Sequence, residues 1–273
     1  MSETHPAITL EPVAAGVWVL RFERPQKRNA LDDAMVDELY DALAAIASNP
    51  DCRVVILTGA GSAFCAGFDL SLVQDEANDQ AQDQAPDVRR ETIQWALRQE
   101  RFAGLVTALR ALRQPVIAAV NGAASGAGFG LALAADIRLA ARSARFNAAF
   151  VRIGLSSCDI GLSWLLPRCV GLSRAFEIML TGRFVDANEA DRIGLVSELV
   201  DDDLLLERAV AIAEAIATNS EFGVWMTKRG MWANVETPGL QAAIELENRT
   251  QILARSTGDM QAAMDARGRP KDR

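Results

Sequence analysis

Val54-Val-Ile-Leu-Thr-Gly59 running into Ser62-Ala-Phe-Cys-Ala-Gly-Phe-Asp-Leu70, and Pro115-Val-Ile-Ala-Ala-Val120 running into Asn121-Gly-Ala-Ala-Ser-Gly-Ala-Gly-Phe-Gly130, share one design. Each is an apolar, β-branched run, then a turn of small residues, then a helix-like pattern. A strand that turns directly into a helix leaves backbone N–H groups unpaired at the helix start. If the two strands are neighbours, both sets of donors converge on a single anionic oxygen. The repeat therefore predicts an oxyanion hole built from main-chain amides. One such turn alone would be explained by close helix–strand packing, but packing does not require both turns to lead into helix starts.

The surrounding chain reads as an α/β protein. Ile8 to Leu10 and Val17 to Phe22 form a hairpin around Ala15-Gly16. A helix runs from Asp32 to Ser48, with Met35, Leu39, Leu43 and Ile46 on one face, Asp32 or Asp33 as its cap and Asn49-Pro50 as its stop. The polar stretch Asp75 to Asp87 has almost nothing to bury and reads as a mobile loop. One long amphipathic helix follows, from Asp87 to Arg113. Gly128 to Ala135 reads as a short helix, and Ile137 to Ala140 and Arg145 to Asn147 as further strands. Arg183 to Val200 reads as strand, turn helix and strand. Beyond it the pattern is wholly helical: Leu204 to Ala217, Phe222 to Trp232, Leu240 to Arg255 and Asp259 to Arg267. The division is thus a core over residues 1–200 and a helical region over 201–273. That tail must pack on the core or on another subunit, and the second option implies oligomers.

The 273 residues are 50% hydrophobic and 23% charged, ordinary for a globular enzyme, and no apolar run reaches the ~20 residues of a membrane span. A formal charge of −8 argues against nucleic-acid partners, so any polyanionic ligand must meet a local basic patch. Cys52, Cys65, Cys158 and Cys169 form no C-x-x-C pair, and with no signal-peptide pattern at Met1–Pro6 they fit reduced thiols in a cytoplasmic protein. Cys65 reads as a small core filler. The single histidine, His5, excludes a His-dependent triad or a His-ligated metal centre within one chain. Proton transfer falls to carboxylates, a thiol, Tyr40, a lysine or water. Gly126-Ala-Gly-Phe-Gly130 is a poor dinucleotide fingerprint, because it lies mid-chain and Asp136 follows too soon. Ser125 is no nucleophile elbow, since Ala123 stands where the first glycine belongs and no histidine could activate it.

Several segments together resemble the crotonase (enoyl-CoA hydratase/isomerase) superfamily: Arg24-Pro-Gln-Lys-Arg-Asn-Ala-Leu31, Leu57 to Leu70, Gln114 to Gly122, Ala135-Asp-Ile-Arg-Leu-Ala140, Leu180-Thr-Gly-Arg183 and Ala190-Asp-Arg-Ile-Gly-Leu-Val196. The resemblance runs in order from about Ile8 to Pro270. It implies ββα units wound into a spiral, a C-terminal helical trimerisation region, and homotrimers or dimers of trimers. It also implies an acyl-CoA substrate, with no cofactor beyond the coenzyme A it carries. The thioester oxygen would be held by the amides of Phe68 and Ala127, beside Gly126, each amide contributing ~3 kcal/mol to an enolate or tetrahedral intermediate. Ala127 replaces the glycine usual there, which an amide at a helix start tolerates if its φ stays negative.

The same likeness lays Arg24, Lys27 and Arg28 along coenzyme A, with backbone near Ala30 and Ala66 at the adenine; the alternative is a solvated basic turn. Asp69 and Leu70 match positions lining the pantetheine and acyl region, although Asp69 could equally serve a helix dipole. The two glutamates with which hydratases of this kind activate water match Gly130 and Phe150 here, leaving that side of the pocket roomier and the other more apolar. In other branches an aspartate of the Gly154–Gly161 loop does the chemistry. Asp159 is the nearest carboxylate, although ungapped matching puts Cys158 on that position. Asp159 is either a desolvated acid–base group or a cap for the helix starting near Leu162. Arg152 could pair with it or bind an acidic acyl group, and Phe68, Phe129, Phe150 and Trp95 would shape the acyl pocket. These residues favour isomerisation over hydration. The alternatives are hydrolysis or decarboxylation on the same platform, or a non-catalytic acyl-CoA-binding protein.

Overall fold

A computed structural model describes residues 6–72 and 88–268. His5 and the polar stretch before Val88 lie outside the described residues. Two mixed sheets form the core. The larger has the order β1 (Ile8–Ala14), β2 (Val17–Phe22), β3 (Val54–Gly59), β5 (Val116–Val120), β7 (Ile137–Ala141), β10 (Glu198–Val200). The smaller runs β4 (Ala63–Cys65), β6 (Ala123–Ser125), β8 (Arg145–Asn147), β9 (Val185–Asp186). The hairpin β1–β2 and the pair β8–β9 are antiparallel, and the remaining pairs are parallel.

The repeated design in the sequence becomes a repeated pairing. β3 lies beside β5 with Val55 opposite Val116, and their continuations β4 and β6 pair with Ala63 opposite Ala123. Both halves of each unit therefore sit next to their counterparts. Side-chain amides staple the corners between the sheets: buried Asn29 donates to the carbonyls of Ala60, Ala63 and Phe64, and Asn121 accepts from the Gly59 amide.

Alternation along the strands supplies two apolar faces. Val55, Leu57, Val116 and Ala118 face the main core, with α1 (Asp33–Ser48), the C-terminal half of α2 (Val88–Ala111) and α3 (Ala127–Ala134). Asp32 caps α1 by accepting the Met35 amide at 2.8 Å, and the helix ends at Asn49. Helices α4 (Leu162–Val170), α5 (Leu172–Thr181) and α6 (Ala187–Arg192) complete that side. Val17, Val54, Ile56, Ile117 and Leu139 face the other way and are covered by Leu205, Ala209 and Ala213 of α7 (Leu205–Ala217). The helices after residue 200 are thus unlike one another: α7 closes the core. α8 (Glu221–Glu236) is docked through Lys228, whose buried ammonium reaches Asp136 Oδ2 and the Gln114 carbonyl at 2.9 Å each, and through Trp232 Nε1 on Asp136 Oδ1. α9 (Leu240–Arg255) and the described part of α10 (Asp259–Gly268) bury no residue in the single chain.

Candidate active site

The second glycine turn follows the sequence expectation. Gly126, with φ +51°, precedes α3, and Ala127 is the first helical residue with φ outside the left-handed region. The first turn departs from it. After β4 the chain does not enter a helix; it forms a single parallel bridge between Leu31 and Phe68, and helical geometry begins only at Ser71. In that bridge the Leu31 amide donates to Gly67 O and the Leu31 carbonyl accepts from Asp69 N. Parallel pairing uses the neighbours of the bridged residue, so the Phe68 N–H points away from the pairing. The donor is freed by sheet geometry and not by a helix start.

Gly67 (φ +91°) brings the two turns together. A Cβ at this position would fall 2.7 Å from the Ser125 carbonyl oxygen and 3.2 Å from the Ala127 nitrogen, so only glycine allows the backbone to lie so close to the start of α3. Among the described residues, neither the Phe68 nor the Ala127 amide has a protein acceptor. Phe68 and Ala127 line one cleft, enclosing about 100 Å³, together with Leu70, Trp95, Arg98, Gln99, Phe102, Phe150, Ile153, Leu155, Asp159 and Ile160. Two unpaired amides in an apolar cleft can stabilise a developing oxyanion.

Asp159 is the only carboxylate lining this cleft among the described residues. It does not cap α4, whose N-cap is Gly161. It is half-buried and not fully withdrawn from solvent. Its Oδ1 accepts from the Ile160 amide at 2.6 Å and from Gln99 Nε2, which leaves Oδ2 without a protein donor among the described residues. Gln99 and Arg98 were not singled out by the sequence. The signal was the stripe Trp95, Arg98, Gln99, Phe102, spaced i, i+3, i+4, i+7 on one face of α2.

Gly130 does not make the cleft roomier. The space a side chain there would use is filled by Ile160: a Cβ on Gly130 would meet Ile160 Cγ2 at 2.6 Å and the Ile160 carbonyl oxygen at 2.9 Å. Ile160 itself has φ +43°, a costly conformation for a β-branched residue. Phe150 is buried, and its ring lies 3.5 Å from where a Cβ on Gly126 would sit. Phe129 packs instead on Phe146 in the core, away from the cleft. Arg152 is exposed, does not line the cleft, and has no ion pair with Asp159 among the described residues. Cys65 is buried, which pushes its thiol up to about 12 and suits a core filler.

The basic segment is divided. Arg24 is turned inward: it pairs with Asp32 at 2.9 Å and Asp69 at 3.3 Å and donates to the Ala30 carbonyl. It is a structural clamp, not a cation free for a phosphate, because two carboxylates and a carbonyl converge on it. Asp69 likewise points into this network and does not line the cleft, unlike its neighbour Leu70. Lys27 reaches Ser71 Oγ at 3.3 Å on the surface, and Arg28 is exposed at a left-handed position. The Ala66 amide is spent on the Arg28 carbonyl.

Burial alone would raise the Asp69 carboxyl. The Ser71 hydroxyl and amide, the Lys27 charge and Arg24 outweigh burial and hold the group below its ordinary value. A depressed carboxylate contributes stability above its unfolded pKa of ~3.9 and loses it as pH falls through the folded pKa. Urea midpoints of wild type and Asp69→Asn should therefore differ at pH 7 and converge below about pH 4. A constant difference down to pH 3 would show that Asp69 does not act through its charge.

The family described as enoyl-CoA hydratase/isomerase matches residues 13–270. The chain belongs to the enoyl-CoA hydratase/isomerase family. A probable enoyl-CoA hydratase of Mycobacterium bovis is 43% identical over 253 residues, covering 91% of this chain and 85% of that protein. The 1,2-epoxyphenylacetyl-CoA isomerase of Escherichia coli is 38% identical over 258 residues, 94% of each chain. The crystal structure of an enoyl-CoA hydratase from Bacillus anthracis superposes with a TM-score of 0.86 at 32% identity, covering 95% of both chains. The two mixed sheets and the C-terminal helices are accordingly the crotonase fold, and the protein is a CoA-dependent enzyme of that family. No helix among the described residues is long and apolar enough to cross a membrane.

Proposed function

We propose that this enzyme isomerises the double bond of an enoyl-CoA, with Asp159 moving the proton and the Phe68 and Ala127 amides holding the thioester oxygen. The observation that carries this reading is Asp159, the single carboxylate lining the cleft among the described residues, pinned through Oδ1 and with no protein donor to Oδ2 among them. Asp159 Oδ2 removes a proton from the α-carbon of a 3-enoyl thioester. The C–H electron pair becomes a double bond between the carbonyl carbon and the α-carbon, and the carbonyl π pair moves onto the thioester oxygen. There the two amides stabilise the negative charge of a dienolate conjugated with the retained β,γ double bond. As the dienolate collapses, the same carboxyl returns the proton at the γ-carbon, giving the 2-enoyl thioester. One shuttling group suffices.

Hydration needs a base for water as well as a donor for the α-carbon. Positions 130 and 150 carry no titratable group, and Ile160 fills the space beside Gly130. Lys27 and Arg28, the outward cations of the basic segment, are the proposed contacts of the CoA phosphates, with backbone near Ala30 and Ala66 beside the adenine. The unburied apolar residues Leu240, Ile244, Ile252 and Leu253 of α9 support assembly as a homotrimer or a dimer of trimers. Incubation with a 3-enoyl-CoA in deuterated water should yield the 2-enoyl-CoA and no 3-hydroxyacyl-CoA. Faster formation of a 3-hydroxyacyl-CoA from a 2-enoyl-CoA would overturn the assignment in favour of hydration.

A further inference from the structure

The walls of the acyl cleft carry information beyond the reaction type. Of the twelve described residues that line it, four are aromatic: Phe68, Trp95, Phe102 and Phe150. Phe68 sits between Trp95, with centroids 6.0 Å apart at 54°, and Phe102, 5.3 Å apart at 66°. The Arg98 guanidinium lies 5.0 Å from the Phe68 ring centre, 5.5 Å from Trp95 and 5.9 Å from Phe102. Arg98 is itself fixed by Asp33, through Nε at 3.0 Å and Nη2 at 2.6 Å. The three rings are therefore held in place before any ligand arrives. Trp95, packed on Phe68 and Arg98 on one side, is still 42% exposed.

The cleft is also short. Ile160, wedged beside Gly130, closes the inner end that a side-chain-free position would have opened. The enclosed space of about 100 Å³ is of the order of the ~150 Å³ cavity that takes up benzene. An extended alkyl chain would leave it past Ile153 and Leu155 and lie over a rim exposed by about half. A flat ring fills it and meets preorganised rings in tilted and edge-to-face geometry, which alkyl groups cannot match.

We propose that the acyl group of the substrate carries an aromatic ring, seated against Phe68, Trp95 and Phe102. This inference rests on the acyl-CoA site proposed above. Its test is titration of wild type and Trp95→Ala with phenylacetyl-CoA, cyclohexylacetyl-CoA and octanoyl-CoA, matched in acyl carbon count, with free coenzyme A as the baseline. Because Trp95 lies at the rim, its truncation leaves the core intact. Wild type should bind phenylacetyl-CoA about tenfold more tightly than octanoyl-CoA and more tightly than the cyclohexyl analogue. Trp95→Ala should bring the three within about threefold of one another. Octanoyl-CoA binding as tightly as phenylacetyl-CoA, parity of the phenyl and cyclohexyl ligands, or a preference unchanged in Trp95→Ala would each overturn the aromatic assignment while leaving the acyl-CoA site standing. All three ligands binding no better than free coenzyme A would overturn the acyl site as well.

Discussion

Asp159→Asn should lower turnover of a 3-enoyl-CoA by about 10²- to 10⁴-fold, the range contributed by a positioned acid–base group, while acyl-CoA affinity changes little. The substitution is close to a single-atom test. The asparagine carbonyl still accepts from the Ile160 amide and from Gln99, so the loop has no reason to move. Phe68 and Ala127 keep their unpaired amides, so the thioester oxygen is still received. What disappears is the ability of the second oxygen to accept a proton at the α-carbon and return it at the γ-carbon. The loss should fall on kcat and on kcat/KM alike, because the interaction removed exists only during proton transfer. Solvent deuterium should also cease to enter the acyl chain. If the variant keeps wild-type kcat, the proton is carried by another group and the Asp159 mechanism is wrong. If kcat holds but KM rises, Asp159 is a binding residue.

Much of the architecture was legible because it depended on local periodicity. The hairpin around Ala15-Gly16, the Asp32 cap, and the alternation that gives β3 and β5 two apolar faces are short-range patterns. The pair of glycine turns was legible because it occurs twice. Features that arise from contacts between distant segments were not. Charge in a sequence does not say which way an arginine points: Arg24 stands in the same cluster as Lys27 and Arg28, yet it is claimed by Asp32, Asp69 and the Ala30 carbonyl. The Phe68 amide reads as a helix-start donor, but Leu31, 37 positions earlier, frees it through a bridge no propensity announces. The helical tail reads as one region, yet α7 belongs to the core because the second face of the large sheet must be covered.

The least legible feature controls the placement of the proposed acid–base group, and it sets the second large effect. Gly130→Ala should reduce turnover by about 10²-fold or more without unfolding the protein. Nothing about position 130 is unfavourable to alanine locally. It lies within α3, where glycine costs roughly 0.5–1 kcal/mol relative to alanine. The obstacle is tertiary: the new Cβ would stand 2.6 Å from Ile160 Cγ2, 2.9 Å from the Ile160 carbonyl oxygen and 3.2 Å from Leu162 Cδ1. Ile160 already occupies a left-handed conformation, so its docking against Gly130 offsets that cost. Filling the gap removes the reward, and the loop relaxes, carrying Asp159 with it. A displacement of ~1 Å at a reacting group is enough for a loss of that size. Overpacking costs of ~1–3 kcal/mol, partly offset by the helix preference, should move the melting temperature by only a few degrees. A second substitution separates this account from general damage. Ile160→Gly removes the Cγ2 contact and the left-handed strain, leaving only the backbone carbonyl and Leu162 contacts. Gly130→Ala/Ile160→Gly should therefore recover part of the activity that Gly130→Ala loses, a coupling measurable in a double-mutant cycle. Wild-type kcat in Gly130→Ala would show that the wedge does not place Asp159. Strictly additive losses in the double mutant would show that residues 130 and 160 act on the site independently.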